Sequence, residues 1–116
     1  MNLKQVLKLI KSKKLSKIKN LKHGFFNSMG GHSKDIYKSL NCGPGSNDKQ
    51  SNIKKNLQKV RKKISTKAKN IFLVSQFHSN KFVYIDEKYT KKQKPKADAI
   101  ITNQKHLPIA VLTADC

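Results

Sequence analysis

The chain is 116 residues long, enough for one domain or part of one, and its 36% hydrophobic content is low for a globular core. Twenty-six Lys and Arg against six Asp and Glu give a net charge of +20, which on its face suggests a polyanion partner. Arg61 is the lone arginine, however, and lysine lacks the bidentate fork that reads guanine or grips phosphate, so a genome rich in Lys and Asn codons accounts for the charge and no specific nucleic acid is expected.

In chain order, residues 1–22 form a basic N-terminal segment with Leu3, Val6, Leu7 and Ile10 at helical spacing and Leu15, Ile18 and Leu21 among lysines. The period is loose, so short β pieces around Leu7 to Ile10 stand beside a basic amphipathic helix as readings. From His23 the texture changes to His23-Gly24-Phe25-Phe26, then Gly30-Gly31, then Asn41-Cys42-Gly43-Pro44-Gly45. Four of the five glycines fall between positions 30 and 45, which predicts a strand running into structured loops. Asn47, Asp48 and Ser51 offer caps to a helix whose one face carries Ile53, Leu57, Val60 and Ile64.

Ile71-Phe72-Leu73-Val74 is a short apolar run, and Lys81 to Ile85 alternates as a strand does. Together they predict a hairpin with His78 near its bend. Residues 86–97 read as an exposed polar loop. Ala97–Thr102 and Pro108–Thr113 are two more predicted strands, and the sequence ends at Ala114-Asp115-Cys116. Such an ending after an apolar run reads as a truncated domain.

The two cysteines, Cys42 and Cys116, form no CxxC pair, so neither a disulfide framework nor a zinc-finger spacing is present. No apolar run reaches the ~18 residues of a membrane span, and no secretory signal opens the chain. A soluble cytoplasmic protein with no membrane partner is expected. On sequence alone His78 is a lone histidine after a strand and Cys116 a thiol of the buried type.

Taken together, the motifs resemble the YfiH-like or laccase-domain family, whose members are also described as purine nucleoside phosphorylases and peptidoglycan editing factors. The resemblance covers His23 to Cys116. It rests on His23-Gly24-Phe25-Phe26, Gly30-Gly31 with Ser33, Tyr37 before Ser39-Leu40-Asn41, Asp48, Asn56, Gln76 with His78, Ala97-Asp98-Ala99 and Thr113-Ala114-Asp115-Cys116. Each piece is weak alone, and their order and spacing carry the match.

The resemblance implies a mixed α/β fold with α/β/β/α layers, of which 23–116 is the N-terminal part. It implies that His78 and Cys116 are catalytic metal ligands, the third being a histidine in a downstream segment like Ala-His-Ala-Gly-Trp that this sequence lacks. Zinc is the expected metal, copper less so, because copper-dependent oxidation of phenols needs more ligands than are visible. Zinc accepts imidazole nitrogen and thiolate together, and three protein ligands leave one position open.

The implied activity of the intact protein is phosphorolysis of adenosine, inosine or guanosine and deamination of adenosine, with phosphate or water as co-substrate. The 116-residue chain itself is expected to be inactive. His23, Asn41 and Asp115 are candidates for substrate contact, although holding its own loop is the commoner task for Asn41. Asn27-Ser28 stands where the family carries Thr-Arg, so the arginine that would hold an anionic group has no counterpart. A basic non-catalytic binding module and an enzyme that edits peptidoglycan precursors are the alternatives.

Overall fold

The computed structural model describes residues 7–89 and 94–113. The chain divides into two compact units, Met1–Thr66 and Lys67–Cys116, and the elements are a mixture of helices with small antiparallel and parallel sheets, a mixed α/β chain.

In the first unit, β1 (Leu9–Ile10) pairs antiparallel with β2 (Phe25–Phe26), Leu9 opposite Phe26. Of the two readings for this segment, the short β piece forms at Leu9–Ile10. Leu3 and Val6 of the helical reading lie outside the described residues; among those described in this segment the one helix is α1 (Lys13–Ser16), a single turn whose N-cap Ser12 accepts a hydrogen bond from Leu15 N. The loop that follows is held by backbone: Ser39 N and Leu40 N both donate to Ser28 O, and Ser33 N donates to Ser39 O. Gly30 and Gly31 are required there. Gly30 has φ +91° and a side chain on it would meet the Leu7 backbone, while one on Gly31 would meet the carbonyl of Ser39.

The long helix α2 spans Gln50–Ile64, as the Ile53, Leu57, Val60, Ile64 spacing predicts. Ile53 is buried at 1% exposure, and the other three are half-buried. The expected caps are corrected: Lys49 is the N-cap and makes no side-chain capping bond. Asp48 instead turns its carboxylate back onto the preceding loop, because Ser33 and Asn41 offer it side-chain donors there.

In the second unit, the predicted hairpin does not form. β3 (Phe82–Ile85) pairs in parallel with β4 (Ala99–Thr102), Phe82 opposite Ala99 and Ile85 opposite Thr102. The 71–76 run makes isolated parallel bridges, Phe72 with Ile109 and Ser75 with Lys96. Alternation marks a strand but names neither its partner nor its direction. Pro108–Thr113 is likewise no regular strand over its described length; it is attached through Phe72 N to Pro108 O and Ala110 N to Phe72 O.

The core of this unit is Leu73, Val74, Ile85, Ala97 and Ala68. The expected loop at 86–97 is described in part, and it ends buried, at Ala97. Phe82, Tyr84 and Ile101, on one face of the β3–β4 pair, are 63%, 48% and 51% exposed. No helix of the described residues is long and apolar enough to cross a membrane.

Candidate functional site

His78 lies on the tight turn that ends the 71–76 run, with φ +63°, a left-handed conformation that is costly for a residue with a Cβ. Asp98 holds this turn. Its carboxylate accepts from the backbone N–H groups of Phe77 (3.1 Å), His78 (3.0 Å) and Ser79 (2.8 Å), and from the Ser79 hydroxyl at 2.6 Å. Successive amides converging on one point form an anion cradle, and here the anion is a side chain of the same protein. The Ser79 hydroxyl bond is the main cause that keeps the Asp98 carboxyl below the ordinary carboxylate range, against the opposing effect of desolvation and with help from the amides of Ser79, His78 and Phe77.

The His78 N–H is therefore engaged while its imidazole is exposed and, among the described residues, hydrogen-bonded by none. Asp98 is separated by 20 residues from the turn it builds, and sequence reasoning placed it only as part of the Ala97-Asp98-Ala99 motif.

A second device lies two residues before His78. The Gln76 side chain donates from Nε2 to Leu112 O at 3.0 Å and accepts at Oε1 from Leu112 N at 2.8 Å. One amide thus satisfies both backbone groups of Leu112, as a neighbouring strand would, and fastens the 109–112 segment beside the His78 turn. Cys116 and Asp115, the other residues singled out at this end, lie outside the described residues. Among the described residues no three His, Cys, Asp or Glu side chains gather as a metal cage. What can be tested for fit is His78, and an exposed, uncommitted imidazole on a fixed backbone has the chemistry of a ligand.

A hollow of about 540 Å³ lies at the C-terminal ends of β3 and β4, lined by Asp86, Glu87, Lys88, Asn103, Gln104 and Lys105. His78 is not among its lining residues.

The first unit carries a polar hub. Asn56, on α2, is completely buried. Its Oδ1 accepts from His32 N at 2.7 Å, and its Nδ2 donates to Ser33 Oγ at 2.9 Å and to Asn41 O at 2.8 Å. Ser33 donates onward to Asp48, and Asn41 Nδ2 donates to Ser46 Oγ (2.9 Å) and Asp48 (3.2 Å) while its Oδ1 accepts from Gly43 N. The Asn41 side chain is thus consumed in holding its own loop.

The hydrogen bond from Ser33 is the main cause that lowers the Asp48 carboxyl, with desolvation opposing and Asn41, the Lys49 amide and Asn52 assisting. Ser33, Asn41, Asp48 and Asn56 all belong to the motif set quoted above, so these matches mark one hydrogen-bonded scaffold.

The remaining candidates separate. His23 accepts from Ser12 N through Nε2 at 2.7 Å and stands edge-on to Phe25. That nitrogen is used in fixing the start of α1. Cys42 is a free, half-buried thiol pushed up to about 11 by burial, so it carries no reactive thiolate at neutral pH.

The model of one family, described as multi-copper polyphenol oxidoreductase laccase, matches residues 22–116. The chain belongs to this family. Two relatives match this chain over 93 residues. A purine nucleoside phosphorylase of Streptomyces coelicolor is 29% identical across 80% of this chain and 38% of its own length. A purine nucleoside phosphorylase of Corynebacterium glutamicum is 33% identical across 79% of this chain and 38% of its own. The chain therefore spans well under half the length of these relatives.

Proposed function

We propose that this chain is the N-terminal part of a metal-dependent purine nucleoside enzyme with a layered α/β/β/α domain, cleaving nucleosides with phosphate and deaminating adenosine. Two things support the reading: the family membership with two relatives named purine nucleoside phosphorylase, and the His78 turn. The carrying observation is that Asp98 and Gln76 fix this turn and the Leu112 backbone side by side while leaving the imidazole uncommitted.

In this reading His78 and Cys116 are two ligands of a zinc ion, with residues 23–116 as the part of the catalytic domain that supplies them and a histidine beyond residue 116 as the third. Three residues separate Leu112 from Cys116, and four chain steps reach at most about 14 Å when extended, so the clamp at Gln76 limits how far along the chain the thiol can stand from the His78 turn. Bound there, zinc would supply Lewis-acid polarisation of a substrate oxygen. The chain's own contribution is to orient the imidazole by the amide cradle, to present the thiol from the neighbouring segment, and to offer Asp115 as a partner to a ligand or the substrate. Too few ligands are visible for the several coppers that the family's description implies, and zinc takes imidazole and thiolate together, so zinc is the metal of this reading. Two ligands hold zinc far less tightly than three, so the chain by itself is expected to be inactive.

The test is cobalt substitution. Titrating the chain with Co²⁺ should give a thiolate-to-cobalt charge-transfer band that disappears in both His78→Ala and Cys116→Ala. In the full-length enzyme the same substitutions should remove zinc and phosphate-dependent release of base from inosine. Unchanged metal content in both variants would sink the assignment.

A further inference from the structure

The first unit carries a groove of about 350 Å³ lined by His32, Lys54, Lys55, Gln58, Lys59 and Lys62. Its wall is one stripe of α2. Lys55, Lys59 and Lys62 follow at offsets of four and three and so share a face, with Lys54 and Gln58 beside them. No carboxylate lines the groove, and α2 has no acidic residue anywhere along Gln50–Ile64.

Two of the lining groups are held in place. Lys59 Nζ donates to Gly30 O at 2.7 Å, and the His32 backbone is tied by Asn56 at 2.7 Å. Lys59 is therefore fixed against the Gly30–His32 loop, while Lys54, Lys55 and Lys62 stand exposed along the same helix. Their field is felt in the groove: partial desolvation first, and then the charges of Lys59 and Lys55, keep His32 below the ordinary imidazole value.

We propose that this groove is a binding site for a phosphate group, with Lys55 and Lys62 pairing its oxygens, Lys59 fixing the loop and His32 facing the ligand. The assignment uses no residue of the second unit and does not depend on the nucleoside reading. Lysines act as point charges that satisfy a phosphate oxygen from several directions without needing arginine's planar fork. The volume lies at the lower end for small-molecule sites and exceeds what free phosphate fills, so a phosphomonoester on a small molecule fits the space better than the free ion.

The experiment follows the His32 ring by NMR in the whole chain at about 0.15 M salt, where diffuse surface attraction is largely screened. Inorganic phosphate, a nucleoside monophosphate and the unphosphorylated nucleoside are titrated separately. The two phosphate compounds should move the ring signal saturably and the nucleoside should not; tighter binding of the monophosphate identifies an ester as the source, and equal binding identifies free phosphate.

The variant Lys55→Gln/Lys62→Gln should weaken binding by about tenfold or more. Lys14→Gln/Lys17→Gln, with the same change in charge, should leave it within about twofold, and Lys55→Arg/Lys62→Arg should retain it. Equal weakening by both glutamine pairs would overturn the proposal, since only net charge would then matter. So would a ring signal that never saturates, or a single-stranded oligonucleotide that outcompetes the monophosphate with a steep salt dependence.

Discussion

Asn56→Leu should be among the most destabilising single substitutions in the first unit. The side chain is fully buried and makes three hydrogen bonds, from His32 N and to Ser33 Oγ and Asn41 O. Leucine matches its volume approximately, so the loss is polar rather than a cavity. The His32 amide lies near the surface and can rehydrate, Ser33, 3% exposed, loses the donor to its oxygen but keeps its own bond to Asp48, and the Asn41 carbonyl loses the partner that α2 gives it. At roughly 1–3 kcal/mol for the carbonyl left without a partner and about 1 kcal/mol for the bond lost at Ser33, the expected cost is about 2–4 kcal/mol.

For a unit of this size each kcal/mol lowers Tm by about 4–8 °C, so a fall of roughly 10 °C or more is expected. Chemical denaturation read by circular dichroism measures the change, and amide exchange at Gly31, His32 and Ser33 locates it. Asn56→Asp should be no better, because it loses both donated bonds and sets a buried carboxylate near Asp48. A Leu variant within about 0.5 kcal/mol of the parent, with protected His32 and Ser33 amides, would refute the view that the hub orders the unit.

Asp98→Ala should raise amide exchange at Phe77, His78 and Ser79 without altering exchange in α2, and Asp98→Asn should do so less, since one amide oxygen still accepts. The Asp48 carboxyl is lowered in the folded chain, so its contribution is fully present above the unfolded carboxylate value of about 3.9 and is lost as pH falls through the lower folded value. Acid titration of Asp48→Asn should therefore show less loss of stability in that window than the parent, and identical curves would count against the hydrogen-bond assignment. In Cys116→Ser, where Cys42 is the remaining thiol, burial that holds it near about 11 rather than 9.0 should slow alkylation at mildly alkaline pH by roughly a hundredfold relative to the urea-denatured chain. Equal rates would show the thiol to be open to solvent.

The parts of this molecule legible in its sequence are those written locally. α2 is visible because Ile53, Leu57, Val60 and Ile64 repeat with helical period, and Gly30-Gly31 because only glycine fits where a Cβ would meet Leu7 and Ser39. Asn56 is not visible that way: a polar residue between Ile53 and Leu57 looks like the edge of the apolar face, and its burial depends on partners in three different loop positions.

The hairpin expected around His78 fails for a related reason. Two alternating runs with a bend between them suit antiparallel pairing, but the bend is built by Asp98 and each run finds parallel partners later in the chain. The motif match named Gln76, His78 and Asp98 without stating that Asp98 holds the His78 turn while Gln76 fastens Leu112 beside it. That relation is three-dimensional.

The left-handed backbone at His78 has a consequence for engineering. Glycine could keep every amide bond to Asp98 while relieving the strain on Cβ, so folding alone favours the smaller residue. At this one position durability and chemistry pull apart. A library screened only for heat resistance should drift toward His78→Gly, and it would select the ring away without any sign of damage to the fold.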